Sequence, residues 1–391
     1  MLASTEPNHK LEELLRFGLH LEHILNGDLP LATHFQPIVD LQRGIVAGYE
    51  ALARFPADIG LSPDVAFGMA RELGKVEALE VMATKQALAM RHFLPGNCFL
   101  SLNVSPVFLM TEGWQRLVNE TADFGGVVIE VTEGSSVEDY APLREKLMQI
   151  RLMGGSVAVD DAGAGYASLS HILQLKPEFI KLDRSFIKNC HLDRAKATLI
   201  EMMGAAANRM DAWIVAEGVE LPQEMEELIA LGVPLAQGYL LGKPDPELAS
   251  LPEDLGSTIH QRNQGRSPTL SLHQHLRSCT TCDCVDKAEA QFDQLAETEA
   301  VVVLDQYNRP INVLEKNALL GKRMLQADFM RANISSDPAT VLRRAMTRSN
   351  ANRFDPIVIT GEEGEFLGIL RVESLTTALL EGGISTSRRM I

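Results

Sequence analysis

Acidic and amide side chains recur through the first 240 positions beside a single well-placed lysine: Glu50, Asn103, Glu130, Asp160, Asp161, Lys181, Glu217 and Gln237. Carboxylates brought together repel, so each needs a proton or a compensating cation. Four or five of them with an asparagine carbonyl would form an oxygen-rich cage, the ligand set preferred by Mg2+ or Mn2+. The adjacent pair Asp160–Asp161 can offer a bridging and a terminal oxygen, which suits two ions roughly 3.5–4 Å apart. Such paired ions recur in phosphodiester hydrolysis, where they activate a water and stabilise charge on phosphoryl oxygens. Lys181 could orient or deprotonate that water, or hold a phosphate.

These residues need a scaffold that gathers them. From about residue 32 to 245 short apolar runs alternate with longer amphipathic stretches. The runs expected to be strands are 34–39, 46–53, 98–103, 127–131, 156–160, 179–182, 212–216 and 235–237. Helical patterns cover 66–91, 141–153, 195–209 and 223–231, and the leucines at 11, 14, 15, 19 and 21 predict a leading helix over 9–27. Strand-then-helix repeated seven or eight times predicts a (β/α)8 TIM-like barrel. Only the short stretch 40–45, with Gln42, Arg43 and Gly44 at its turn, separates the first two runs, so these should pair as an antiparallel hairpin. The polar residues named above sit at or just after the C-terminal ends of the strands, which converge on the face where barrels build active sites.

The 391-residue chain has 46% hydrophobic and 23% charged residues, a normal soluble composition long enough for two domains. A formal net charge of -16 excludes wrapping of duplex nucleic acid by a basic surface. The sequence has neither a membrane-length apolar run nor a signal-peptide core, so a cytoplasmic location is expected. Five cysteines do not make a disulfide framework. Cys279, Cys282 and Cys284, with His273 and His275 upstream, could bind zinc, but their spacing is compressed and free thiols are the favoured reading.

The ordered set FQPIV (35–39), EALAR (50–54), LNVSP (102–106), IEVTE (129–133), VDDAGAGYASL (159–169), PEFIKLDRSF (177–186), VAEGVE (215–220) and AQGYLLGKP (236–244) resembles the EAL domain family of cyclic di-GMP phosphodiesterases. The resemblance implies metal-dependent hydrolysis of cyclic di-GMP to linear pGpG with two divalent cations, Mg2+ or Mn2+. It implies that Glu50, Asn103, Glu130 and Asp160 ligate a first metal, and that Asp160, Asp161 and Glu217 ligate a second. Lys181 matches the lysine that contacts the catalytic water. Gln36, Arg54, Asp183, Glu220 and Gln237 match substrate-facing positions. Glu133 matches a glutamate that anchors the loop after the fifth strand, a loop that in the family also takes part in dimer contacts, so a homodimer is expected.

One loop departs from the family pattern. Where the family usually reads DDFG-x-G, this chain has Asp160-Asp161-Ala162-Gly163-Ala164-Gly165. Alanine at 162 removes an aromatic anchor, and alanine at 164 removes any hydroxyl that Glu133 could bind. Retained but weakened or regulated activity is the expectation. The alternative is a catalytically silent receptor for the same molecule that signals through a protein partner. A two-carboxylate glycosidase explains neither the asparagine nor the aspartate pair.

Residues 246–270, rich in Pro, Gly, Ser and charge, read as a linker between a 1–245 barrel unit and a 271–391 module. That module contains a weak repeat whose two copies lie about 55 residues apart. AVVVLDQYNRPINVLEKNAL (300–319) and the 337–375 stretch resemble a pair of CBS-type repeats, an α+β domain whose cleft could bind a nucleotide. A ligand-free dimerisation domain or a PAS-like sensor would share this pattern.

Overall fold

The computed structural model describes residues 6–387 except 96–97, 122, 132–138, 163–165, 211, 265–270, 295–299, 317–322, 327–328, 335, 337, 349–352 and 362–363. By contact density the chain divides into two units, 1–197 with 214–260, and 198–213 with 261–391.

Eight strands close into a barrel in sequence order: β1 (Ala32–Asp40), β2 (Ile45–Arg54), β3 (Phe99–Val104), β4 (Val127–Val131), β5 (Ser156–Ala162), β6 (Phe179–Leu182), β7 (Trp213–Ala216) and β8 (Leu235–Gln237). β1 runs antiparallel to both neighbours, β2 and β8. The β2–β3, β3–β4, β4–β5, β5–β6 and β7–β8 ladders are parallel. The short β1–β2 connection permits no crossover, so the expected hairpin forms, and it turns the first strand against the rest. β4 reads Val-Val-Ile-Glu-Val and is buried at every position. A parallel strand covered on both sides carries such a continuous apolar run, so its one acid stands out.

Helices clothe the barrel: α1 (Glu6–Leu25), α2 (Pro63–Glu72), α3 (Val76–Ala89), α4 (Pro106–Leu109), α5 (Glu112–Glu120), α6 (Tyr140–Leu152), α7 (Tyr166–Leu175) and α8 (Arg184–Ile187); in chain order α9 (Arg194–Arg209), most of which falls in the second unit, and α10 (Pro222–Leu231) follow. The single helix expected over 66–91 is two, because Gly74 takes a left-handed φ of 67° and ends α2. α1 turns Phe17, Leu21 and Ile24 onto α2 and α3, whereas Leu15 and Leu19, part of the expected leucine pattern, face solvent. The stretch expected to be wholly linker carries α11 (Glu253–Gln264), which follows Pro252 and places Glu253 and Asp254 at its N-terminus and Arg262 in its last turn.

The second unit repeats one order of elements. β9 (Thr280–Cys282), α12 (Val285–Gln294), β10 (Ala300–Leu304), β11 (Pro310–Lys316) and β12 (Arg323–Gln326) come first. β13 (Arg331–Asn333), α13 (Pro338–Thr347), β14 (Ile357–Thr360), β15 (Phe366–Leu370) and α14 (Val372–Ser387) follow. In each half the first strand pairs parallel with the second, which pairs antiparallel with the third. Alternation divides the side chains of β10: Val301 and Val303 pack under α12, while Ala300 and Val302 meet Val358 and Ile369 of the other half. Ile357, Ile359 and Leu370 pack with Val341 and Ala345 of α13. Among the described residues, no helix is long and apolar enough to cross a membrane.

Candidate active site

The C-terminal ends of the strands deliver their polar residues to one point. Lys181 on β6 is buried, and its Nζ lies 2.7 Å from Glu130 on β4 and 2.7 Å from Glu217 just after β7. It lies 3.4 Å from Glu50 on β2 and 3.5 Å from Asp160 on β5. One ammonium thus faces four carboxylates. Glu50 also accepts hydrogen bonds from Asn103 Nδ2 and Gln237 Nε2, each at 2.6 Å. Glu130 accepts a short bond from the Ser101 hydroxyl.

The charges are unbalanced, and the protonation states respond. Burial raises the Glu50 carboxyl, but Lys181, Gln237 and Asn103 outweigh it and hold Glu50 below the usual range. Burial lifts Glu130 well above its ordinary value, and the charges of Glu50 and Asp160 add to the rise. Burial also carries Glu217 up to about 8 against the pull of Lys181, with Asp160 and Glu50 pushing the same way. Lys181 itself is held far above the usual lysine range, because the four acids overcome the desolvation that would lower it. A site that holds acids protonated near neutral pH has spare capacity for positive charge.

Successive residues of a regular strand point to opposite faces, so Asp160 and Asp161 should diverge. They do not, because the β5–β6 register slips between Val159 and Ala162 and Asp161 takes a left-handed φ of 50°. This irregularity re-aims Asp161. Oxygens of Asp160, Asp161 and Glu217 lie within 4.8 Å of one another, the one cluster among the described residues able to share an ion through acids, histidines or cysteines. All-oxygen donors with surplus negative charge fit a hard divalent cation.

A cleft of about 290 Å3 adjoins this cluster, lined by Gln36, Glu50, Leu52, Arg184, Glu217, Gly218, Glu220, Gln237, Gly238 and Tyr239. Gln237 Nε2 bridges Gln36 Oε1 at 2.9 Å and Glu50. Gln36 Nε2 in turn donates to the Gly242 carbonyl at 3.0 Å. Gly238 is required by crowding, since a Cβ there would stand 2.2 Å from the Val219 backbone.

Of the residues expected to face substrate, Gln36, Glu220 and Gln237 line the cleft. Arg54 ends β2 with Nη1 on the Ala53 carbonyl at 2.9 Å and is not among the lining residues. Asp183 accepts from Ser185 N and caps α8. Glu133, the expected loop anchor, lies outside the described residues, as does residue 164, while Ala162 is fully buried at the end of β5. Among the described residues the cysteines form no group able to hold an ion, and Cys279 and Cys282 pack into different apolar clusters.

Sequence reasoning passed over Ser101, Arg184 and Tyr239. Ser101 is a buried partner of Glu130, and the signal was its inward register two positions before Asn103. Arg184 enters the cleft from the first turn of α8 and meets Glu220 Oε1 at 2.6 Å.

Comparison with known proteins agrees with this geometry. A family model described as the EAL domain matches residues 22–244. The protein named cyclic di-GMP phosphodiesterase RocR, from Pseudomonas aeruginosa, is 34% identical over 234 residues, covering 57% of this chain and 59% of its own. The protein named cyclic di-GMP phosphodiesterase PdeL, from Escherichia coli K12, is 28% identical over 246 residues, 58% of this chain and 68% of its own. Other relatives are much longer, and the match spans 28%, 29% and 35% of three of them. Among solved structures, PaMucR phosphodiesterase in complex with c-di-GMP superposes with a TM-score of 0.54 at 28% identity, covering 59% of this chain and 98% of that one. Klebsiella pneumoniae BlrP1, in a manganese and cyclic di-GMP complex, gives 0.51 at 28% identity over 57% of this chain and 58% of its own.

Proposed function

The chain belongs to the EAL domain family, and from that premise we propose that it hydrolyses one phosphodiester of cyclic di-GMP to give linear pGpG. The observation that carries the proposal is the convergence of Glu50, Glu130, Asp160 and Glu217 on Lys181 beside the cleft. Two divalent cations, Mg2+ or Mn2+, would be held there. Glu50, Asn103, Glu130 and Asp160 would ligate the first, with Asn103 turning its amide oxygen inward, and Asp160, Asp161 and Glu217 the second. When bound, the cations supply the charge that activates a water and stabilises the phosphoryl oxygens.

The chain's own groups do the rest. Lys181, fixed among the acids, orients the attacking water and keeps the carboxylates from springing apart. Glu217 and Glu50 frame the reacting phosphodiester. Gln36 and Gln237, tied to each other and to Glu50, set the substrate's position relative to that carboxylate. Arg54 and Asp183 complete the proposed substrate contacts, and Glu220 lines the cleft.

Residues 1–245 form the catalytic part in this reading, 246–270 the connection and 271–391 a regulatory pair of CBS-type repeats binding a nucleotide, in a cytoplasmic homodimer. The duplicated parallel-then-antiparallel strand order supports that reading of the second part. Mass spectrometry of a copurified nucleotide would test it.

The decisive assay for the activity incubates purified chain with cyclic di-GMP and Mg2+ or Mn2+ and resolves the products. Formation of pGpG supports the enzyme. Bound cyclic di-GMP without product at high protein concentration would leave the silent receptor in its place.

A further inference from the structure

Among the described residues lining the cleft, Arg184 is the only cation, and Glu50, Glu217 and Glu220 supply negative charge. Its stem and its head are held differently. The stem lies against Gly218, which has a left-handed φ of 71° and where a Cβ would stand 2.4 Å from Arg184 Cγ. No other residue type leaves that groove open without strain. The guanidinium meets Glu220 Oε1 at 2.6 Å, and both side chains remain substantially solvated, at 52% and 40% exposure. An ion pair so exposed contributes little to stability and exchanges readily for a better partner. Arg54, the arginine the sequence pointed to, instead rests on the Ala53 carbonyl.

Cyclic di-GMP carries two phosphodiesters, and only one can lie over the acidic cluster. The second is a monoanion entering an acidic cleft, and it needs a cationic donor of fixed planar geometry. We propose that Arg184 is that donor, gripping the phosphodiester that is not cleaved, and that Glu220 is its resting counter-ion rather than a substrate contact. This rests on the cyclic di-GMP reading above.

The test combines Arg184→Gln, Arg184→Lys, Glu220→Gln and the double variant Arg184→Gln/Glu220→Gln in the full chain. Cyclic di-GMP binding is measured by calorimetry in Ca2+ under conditions where no pGpG forms, and kcat and KM are measured in Mn2+. Arg184→Gln should weaken binding and raise KM roughly tenfold to hundredfold, with kcat changed by less than about threefold. Arg184→Lys should recover part of the loss. Glu220→Gln should tighten binding when Arg184 is present and have almost no effect in the Arg184→Gln background, a coupling that a purely structural role would not produce. Wild-type affinity in Arg184→Gln would overturn the proposal. So would equal weakening by Glu220→Gln in both backgrounds, which would make Glu220 itself the contact. If the wild-type chain fails to bind cyclic di-GMP at all, the substrate reading falls, and this inference falls with it.

Discussion

Replacing Lys181 with methionine keeps most of the stem's volume and removes the ammonium that four carboxylates share. Breaking a buried ion pair from one side costs roughly 3–5 kcal/mol, because it strands the opposite charge. Here Nζ is 2.7 Å from two acids and 3.4 and 3.5 Å from two more, which places the cost at the upper end. For a unit of this size each kcal/mol moves Tm by roughly 2–4 °C. The barrel of Lys181→Met should therefore melt roughly 10–20 °C below wild type in EDTA at pH 8. Glu217, with its carboxyl lifted to about 8, holds its proton at pH 5, and Glu130 is raised as well. Acids that are protonated need no partner, so the same substitution should cost much less at pH 5. Manganese should restore much of the loss at pH 8 by replacing the missing charge. Calorimetric or fluorescence melts at both pH values, with and without Mn2+, decide the matter. An unchanged melt in EDTA at pH 8, or an equal loss at pH 5, would refute the claim that this ammonium compensates the acids.

Glu50→Ala and Asp160→Ala should each lower turnover at least a thousandfold, read as pGpG formed in Mn2+; near-wild-type turnover in either would remove that residue from the ligand set. Glu80 on α3 is buried with one hydrogen bond, from Ser105 at 3.1 Å, and burial lifts its carboxyl to about 7 against Ser105 and Arg71. A folded-state value raised from 4.5 gives stability that is complete below about pH 4.5 and lost as pH rises through 7. Glu80→Gln should thus stabilise the barrel at pH 8 by up to about 3 kcal/mol and be close to neutral at pH 4.5, and melts with no pH dependence would contradict this. Gly238→Ala should push the Val219 backbone, and with it Glu217, away from the cluster, lowering kcat at least tenfold while the far-ultraviolet circular dichroism stays that of the folded barrel.

The barrel was legible because its strands are short apolar runs with polar ends, and the 127–131, 179–182 and 235–237 runs coincide with β4, β6 and β8. The hairpin was legible because so short a connection cannot span a crossover. Other features needed coordinates. Alternation along a strand would send Asp161 away from Asp160, and only the slipped register and left-handed backbone bring it back. Ser101 reads as an ordinary strand residue until its register with Glu130 across β3 and β4 is known. Arg184, one place after a helix-capping aspartate, reads as helix surface, since nothing local reveals the Gly218 groove 34 positions on. α11 was hidden by the prolines, glycines and serines around it, and only its end charges mark it as helical.

The reversed first strand has a consequence for how the molecule acquires its site. Gln36 sits opposite Glu50 on one side of β1, and on the other side Ile38 sits opposite Gln237. The bonds from Gln237 to Gln36 and to Glu50 bridge 201 and 187 positions of chain. A nascent polypeptide halted before Leu235 would have made seven staves and no finished vessel, with Glu50 lacking one of its clasps. Pairings this distant form late and slowly. Seam and pocket are therefore completed together, by the last strand to arrive.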